Sequence, residues 1–113
     1  MANTFLNAKS DLTSTDLTTV YTVPSATTAI IKSILVSEDE GSGTTIDVTL
    51  VDASSNVFSL FKAKAVASNT TVELLTQPLI LEESEALKVQ AAQANELHVV
   101  ASILEVKPRQ VVT

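Results

Sequence analysis

Val20-Tyr-Thr-Val-Pro24, then Ser25-Ala-Thr-Thr28, then Ala29-Ile-Ile-Lys-Ser-Ile-Leu-Val36 is the stretch from which the rest of the chain is read. It spells a strand, a tight turn and a long strand. Pro24 ends the first strand because it has no N–H for a ladder. From Ala29 to Val36 nearly every position is apolar. Strict alternation puts Ile30, Ile34 and Val36 on one face and Ile31 and Leu35 on the other. A strand that is apolar on both faces needs cover on both faces. A core on one side and a partner subunit on the other satisfy that need.

The same double-sided pattern returns in Leu97 to Val106. Leu97, Val99, Ala101 and Ile103 share one face, and Val100, Leu104 and Val106 share the other. A sandwich of this size has few loops long enough to cover two such strands, so the second face points to subunit contact.

Around these strands the pattern stays β. Asn3 to Asp11 reads as a first short strand, and Asp11 to Asp16 as a loop rich in Thr, Ser and Asp. Thr45 to Val51 alternates, with Ile46, Val48 and Leu50 inward. Asp52 to Asn56 is a hairpin turn before a strand over Val57 to Ala65. Thr70 to Leu75, Leu79 to Leu81 and Ala86 to Ala92 follow, with Val72, Leu74, Leu87, Val89 and Ala91 inward. A helix over 83–96 is the alternative there, because Ala, Glu, Leu, Lys and Gln all favour helix. The alternation of Leu87, Val89 and Ala91 argues for strand. About eight or nine short strands separated by regular turn signals predict an all-β chain, an antiparallel β-sandwich or jelly roll. Residues 1–106 form that domain. Residues 107–113 form a tail in which Lys107 and Arg109 are basic and Pro108 stops the strand.

Composition agrees with a folded single domain. The chain has 113 residues, 45% hydrophobic and only 18% charged, the opposite of a disordered balance. The formal net charge is −6. The basic residues are scattered, so the charges that hold nucleic-acid phosphates or anionic membranes are lacking. There is no cysteine, which excludes disulfides and thiolate-bound zinc. The N-terminal residues lack the pattern of a signal peptide, and no apolar run reaches the ~20 residues of a membrane-spanning helix.

Residues able to carry chemistry are few. His98, the single histidine, lies on the face of Val100 with no second histidine beside it in sequence; it reads as a structural or interface residue. Ser37 to Gly43 is acidic, but its carboxylates are consecutive rather than spaced as in a calcium loop, so a solvated turn is expected at 38–43. Glu82 to Glu85 reads the same way. No phosphate-binding glycine loop, nucleophile elbow or spaced histidine pair is present. No catalytic, cofactor or metal site is expected.

Tyr21 to Pro24, Thr27 to Ile34, Ile46 to Leu50, Pro78 to Glu82, Leu87 to Gln90 and Ser102 to Glu105, in that order and spacing, resemble small virion proteins of tailed bacteriophages, especially marine ones. The resemblance spans about residues 17–106. It implies a β-sandwich structural component of a virion, made in the host bacterial cytoplasm. The role it favours is a capsid decoration protein that stabilises the shell by non-covalent packing. A neck, tail or fibre component is the alternative, and a carbohydrate-binding module a more distant one. The implied partners are copies of itself, with a trimer as one arrangement, and the major capsid protein or other virion proteins. Ile30, Ile34, Val36, Val100, Leu104 and Val106 are the expected contact surface, with Lys107 and Arg109 setting register on an acidic neighbour.

Overall fold

A computed structural model describes residues 2–107. Nine strands follow one another: β1 (Ala2–Leu12), β2 (Thr18–Thr22), β3 (Thr28–Glu38), β4 (Thr44–Val51), β5 (Val57–Val66), β6 (Thr71–Glu73), β7 (Leu79–Leu81), β8 (Ala86–Ala91) and β9 (Leu97–Lys107). One sheet runs β1-β9-β3-β6, with β7 also on β3; the other runs β2-β8-β4-β5. All pairings are antiparallel. β7 pairs with the start of β3 and β6 with its end, so the two short strands act as one fourth strand interrupted around Pro78. Chain order alternates between the sheets as in a jelly roll. The segment that also carried helix-forming residues is strand β8, held between β2 and β4.

The core lies between the sheets. β9 contributes Leu97, Val99, Ala101 and Ile103, β8 contributes Leu87, Val89 and Ala91, and β4 contributes Ile46 and Val48, all essentially without exposure. These three strands keep the alternation read from sequence. One polar link crosses the core: the Tyr21 hydroxyl of β2 donates to Glu105 Oε2 of β9 at 2.6 Å. Burial and the neighbouring carboxylate push the Tyr21 phenol well above its usual range.

β3 departs from simple alternation. Ile31 pairs with Ile103, yet Ser33 pairs with Ser102, so Lys32 is an extra residue in a β-bulge. The bulge switches the phase of the strand. Ala29 and Ile31 face the core before it, and Ile34, Val36 and Glu38 face the core after it. The Glu73 carboxylate closes the irregularity. It accepts the Ile34 N–H at 2.8 Å, the Leu75 N–H at 3.2 Å and the Ser33 hydroxyl. Burial by itself would raise the pKa of Glu73, but these donors together hold it below the ordinary carboxylate value.

Glu38, expected in a solvated acidic turn, is the last residue of β3 and is 1% exposed. Its carboxylate accepts the Asn69 N–H at 2.9 Å, Gly41 N–H at 3.0 Å and Ser42 N–H at 3.3 Å. The Asn69 amide first, and the Gly41 and Ser42 amides with it, outweigh burial and lower its pKa. Gly41 and Gly43, at φ of 85° and 66°, let the loop curl over that carboxylate.

Candidate interaction surface

The outer face of the β1-β9-β3-β6/β7 sheet is built in rows, because facing residues on neighbouring strands share a side. Register places Phe5 beside Leu104, Leu104 beside Ile30, and Ile30 beside Ile80. One apolar row therefore crosses the full width of the sheet. Phe5 is 74% and Ile80 52% exposed, while Leu104 and Ile30 between them are half-buried by their neighbours. Val106 continues the patch between Asn3 and Thr28. Asn7, Ser102 and the bulged Lys32 form a polar row next to it, and a shallow depression lies there against Phe5 and Leu6. A second apolar pair follows, Val100 beside Leu35, flanked by Lys9 and Glu73. The last row holds Asp11, His98 and Ser37. His98 Nε2 lies 3.5 Å from Asp39 and 3.9 Å from Asp11.

Phe5, Leu35, Ile80 and Val100, four of the exposed large apolar side chains, thus share one face. Fully covering such a side chain contributes roughly 1.5–3 kcal/mol. Scaled by their exposed fractions, the four contribute about 5 kcal/mol per copy. Two copies together reach about 10 kcal/mol, comparable to the ~4–15 kcal/mol lost in fixing two molecules together.

The sequence-derived surface is therefore corrected in part. Ile34 and Val36 are both 0% exposed and face the opposite sheet, because the Lys32 bulge inverts the phase that strict alternation assumed. They belong to the core. Ile30, Leu104 and Val106 lie half-buried on the outer face, Val100 is more open, and Lys107 is exposed at the end of β9. Arg109 and the rest of the tail lie outside the described residues. Phe5, Leu35 and Ile80 were missed as members of this surface. The alternation of Phe5, Asn7 and Lys9 against Leu6, Ala8 and Ser10 carries the signal for Phe5. Ile80, central in Leu-Ile-Leu, carries no phase of its own.

The opposite sheet presents Val57 and Phe58 near its hairpin, 63% and 52% exposed. Phe5 and Phe58 lie on different sheets and do not form a stacking platform. Among the described residues no three His, Cys, Asp or Glu side chains are grouped to hold a metal ion, and no helix is long and apolar enough to cross a membrane.

The jelly-roll architecture has solved counterparts. A chain from Bacillus endospore appendages, a family of disulfide-linked pili, superposes with a TM-score of 0.59 at 8% identity, over 96% of this chain and 88% of that one. A chain of infectious bursal disease virus, Gx strain, gives 0.49 at 12% identity, over 91% of this chain and 32% of that one. A chain of the virus-like particle of the extra small virus of the prawn Macrobrachium rosenbergii gives 0.44 at 14% identity, over 96% of this chain and 80% of that one. At 8% identity the likeness to the endospore-appendage chain is one of fold. No family model matches the sequence, and no curated protein matches it.

Proposed function

We propose that this chain is a non-enzymatic structural subunit that works by packing against copies of itself and against other proteins of a particle. The observation that carries the reading is the apolar row Phe5–Leu104–Ile30–Ile80 spanning one outer sheet face. Supporting it is the poverty of chemistry-bearing side chains: one histidine and no cysteine in 113 residues. The resemblance to tailed-phage virion proteins favours capsid decoration within this class, with the virion as location. Weak contacts repeated over a shell are the regime in which such a face is effective.

The test is a double substitution, Phe5→Asp with Ile80→Asp, in light scattering coupled to gel filtration. Both side chains point to solvent in the single copy, so the fold should survive, as circular dichroism will report. The native chain should exceed the 11.9 kDa of one copy, and the double variant should have a lower mass than the native chain. An unchanged mass would count against the surface. Antibody labelling of purified particles then separates decoration from the neck, tail or fibre alternative.

A further inference from the structure

A β-sandwich has strand edges that expose unpaired N–H and C=O groups, and soluble chains usually blunt them. Three edges here are blunted. β2 has 5 residues and a bulge at Val20. β6 and β7 have 3 residues each. β5 is bulged twice against β4, carries Lys62 and Lys64, and turns through Ala63 at a φ of 51°. There the Asp47 carboxylate takes the Ala63 N–H at 2.7 Å. The fourth edge is different. β1 runs for 11 residues in unbroken register with β9, with no bulge and no proline. Leu6 and Ala8 point to the core side of it but remain only half-buried, since no strand flanks them.

We infer that the free edge of β1 pairs antiparallel with β1 of a second copy, about a two-fold axis at Asn7. This deepens the assembly reading and rests on it. Asn7 faces its own counterpart, which uses the whole strand and keeps inward residues on the inward side. Phe5 then faces Lys9 of the other copy, placing a cation beside an aromatic ring. Asn3 faces Asp11, Leu6 faces Ala8, and no like charges meet. The row Ile80–Ile30–Leu104–Phe5 of one copy runs on through Lys9 into Val100–Leu35 of the other. The dimer has one continuous sheet with an enlarged apolar stripe.

The chain has no cysteine, so a single Asn7→Cys substitution reads the geometry directly. Facing Cα atoms of an antiparallel pair lie about 4.5–5.5 Å apart, within the ~4.4–6.8 Å a disulfide spans. The control is Ser102→Cys, exposed and beside Asn7 on β9. In the edge dimer its two copies stand roughly 14 Å apart, three strand spacings. Under mild oxidation Asn7→Cys should form a disulfide dimer at least about tenfold faster than Ser102→Cys. Asn7→Lys, which sets like charges face to face, should lower the dimer fraction while circular dichroism stays native. Equal cross-linking rates would overturn the edge pairing. If those rates are equal while Phe5→Asp/Ile80→Asp still lowers the mass, the edge fails and the apolar face stands; a native chain of single-copy mass at every concentration overturns both.

Discussion

Ile34 and Leu35 are adjacent, yet the bulge at Lys32 assigns them opposite fates, and truncating each in turn tests that assignment. Ile34 is 0% exposed and Leu35 is 38% exposed. Ile34→Ala removes three carbons from a site closed on all sides, a change that costs roughly 2–5 kcal/mol including the cavity left behind. Leu35→Ala trims a side chain already open to water, so no closed cavity forms and the cost is about 1 kcal/mol. Against a total stability of about 5–15 kcal/mol, the first loss is severe and the second mild. The assay is urea unfolding followed by circular dichroism, at a dilution where sedimentation shows single copies. With a slope of about 1–3 kcal/mol per molar urea, Ile34→Ala should move the midpoint by roughly 1–3 M and Leu35→Ala by under ~1 M. Slopes should match the native chain. Equal losses, or a larger one for Leu35→Ala, would refute the phase switch and with it the separation of core from contact face.

Two further outcomes follow from the buried polar groups. Tyr21→Phe removes the donor to Glu105 across the core and should cost about 1.5–3 kcal/mol in thermal or urea unfolding, the range for a hydrogen bond to a charged group. Glu38 has a lowered folded pKa, so its contribution is complete above the unfolded glutamate value and is lost as pH falls through the folded one. Stability should therefore decline on acidification below about pH 4.5, and Glu38→Gln should make that decline shallower; an unchanged acid slope would exclude Glu38 as a source.

Much of this fold is legible in the residues because most strands keep strict phase. Leu87, Val89 and Ala91 alternate with the polar Lys88 and Gln90, Leu97, Val99, Ala101 and Ile103 recur at every second position, and all seven are buried. The turn at Asp52 to Asn56 is equally readable, and its aspartate accepts the Ser54 and Asn56 amides, both at 2.9 Å. The candidate surface is only half legible. In Ala29 to Val36 only Lys32 and Ser33 are polar; they sit at the turnover, but two adjacent polar residues in an apolar strand do not by themselves report an extra residue in the ladder. The bulge is set by distant partners, Ser102 across the ladder and Glu73 closing it, and no local pattern reports them. Glu38 hides for a similar reason: the amide of Asn69, far along the chain, is what draws its carboxylate inside. Whether a strand sits at an edge, as β1 does, depends on the order of strands in the sheet rather than on its own residues.

Hydroxyl-radical footprinting tests most directly whether assembly covers the outer apolar face. Concentrated and diluted samples are oxidised in parallel, and the modification of each phenylalanine is read by mass spectrometry. Phe5 should be protected on concentration, while Phe58, 52% exposed on the other sheet, should keep its reactivity. Equal oxidation of Phe5 in both samples, under conditions where the chain is shown to be assembled, would contradict the account.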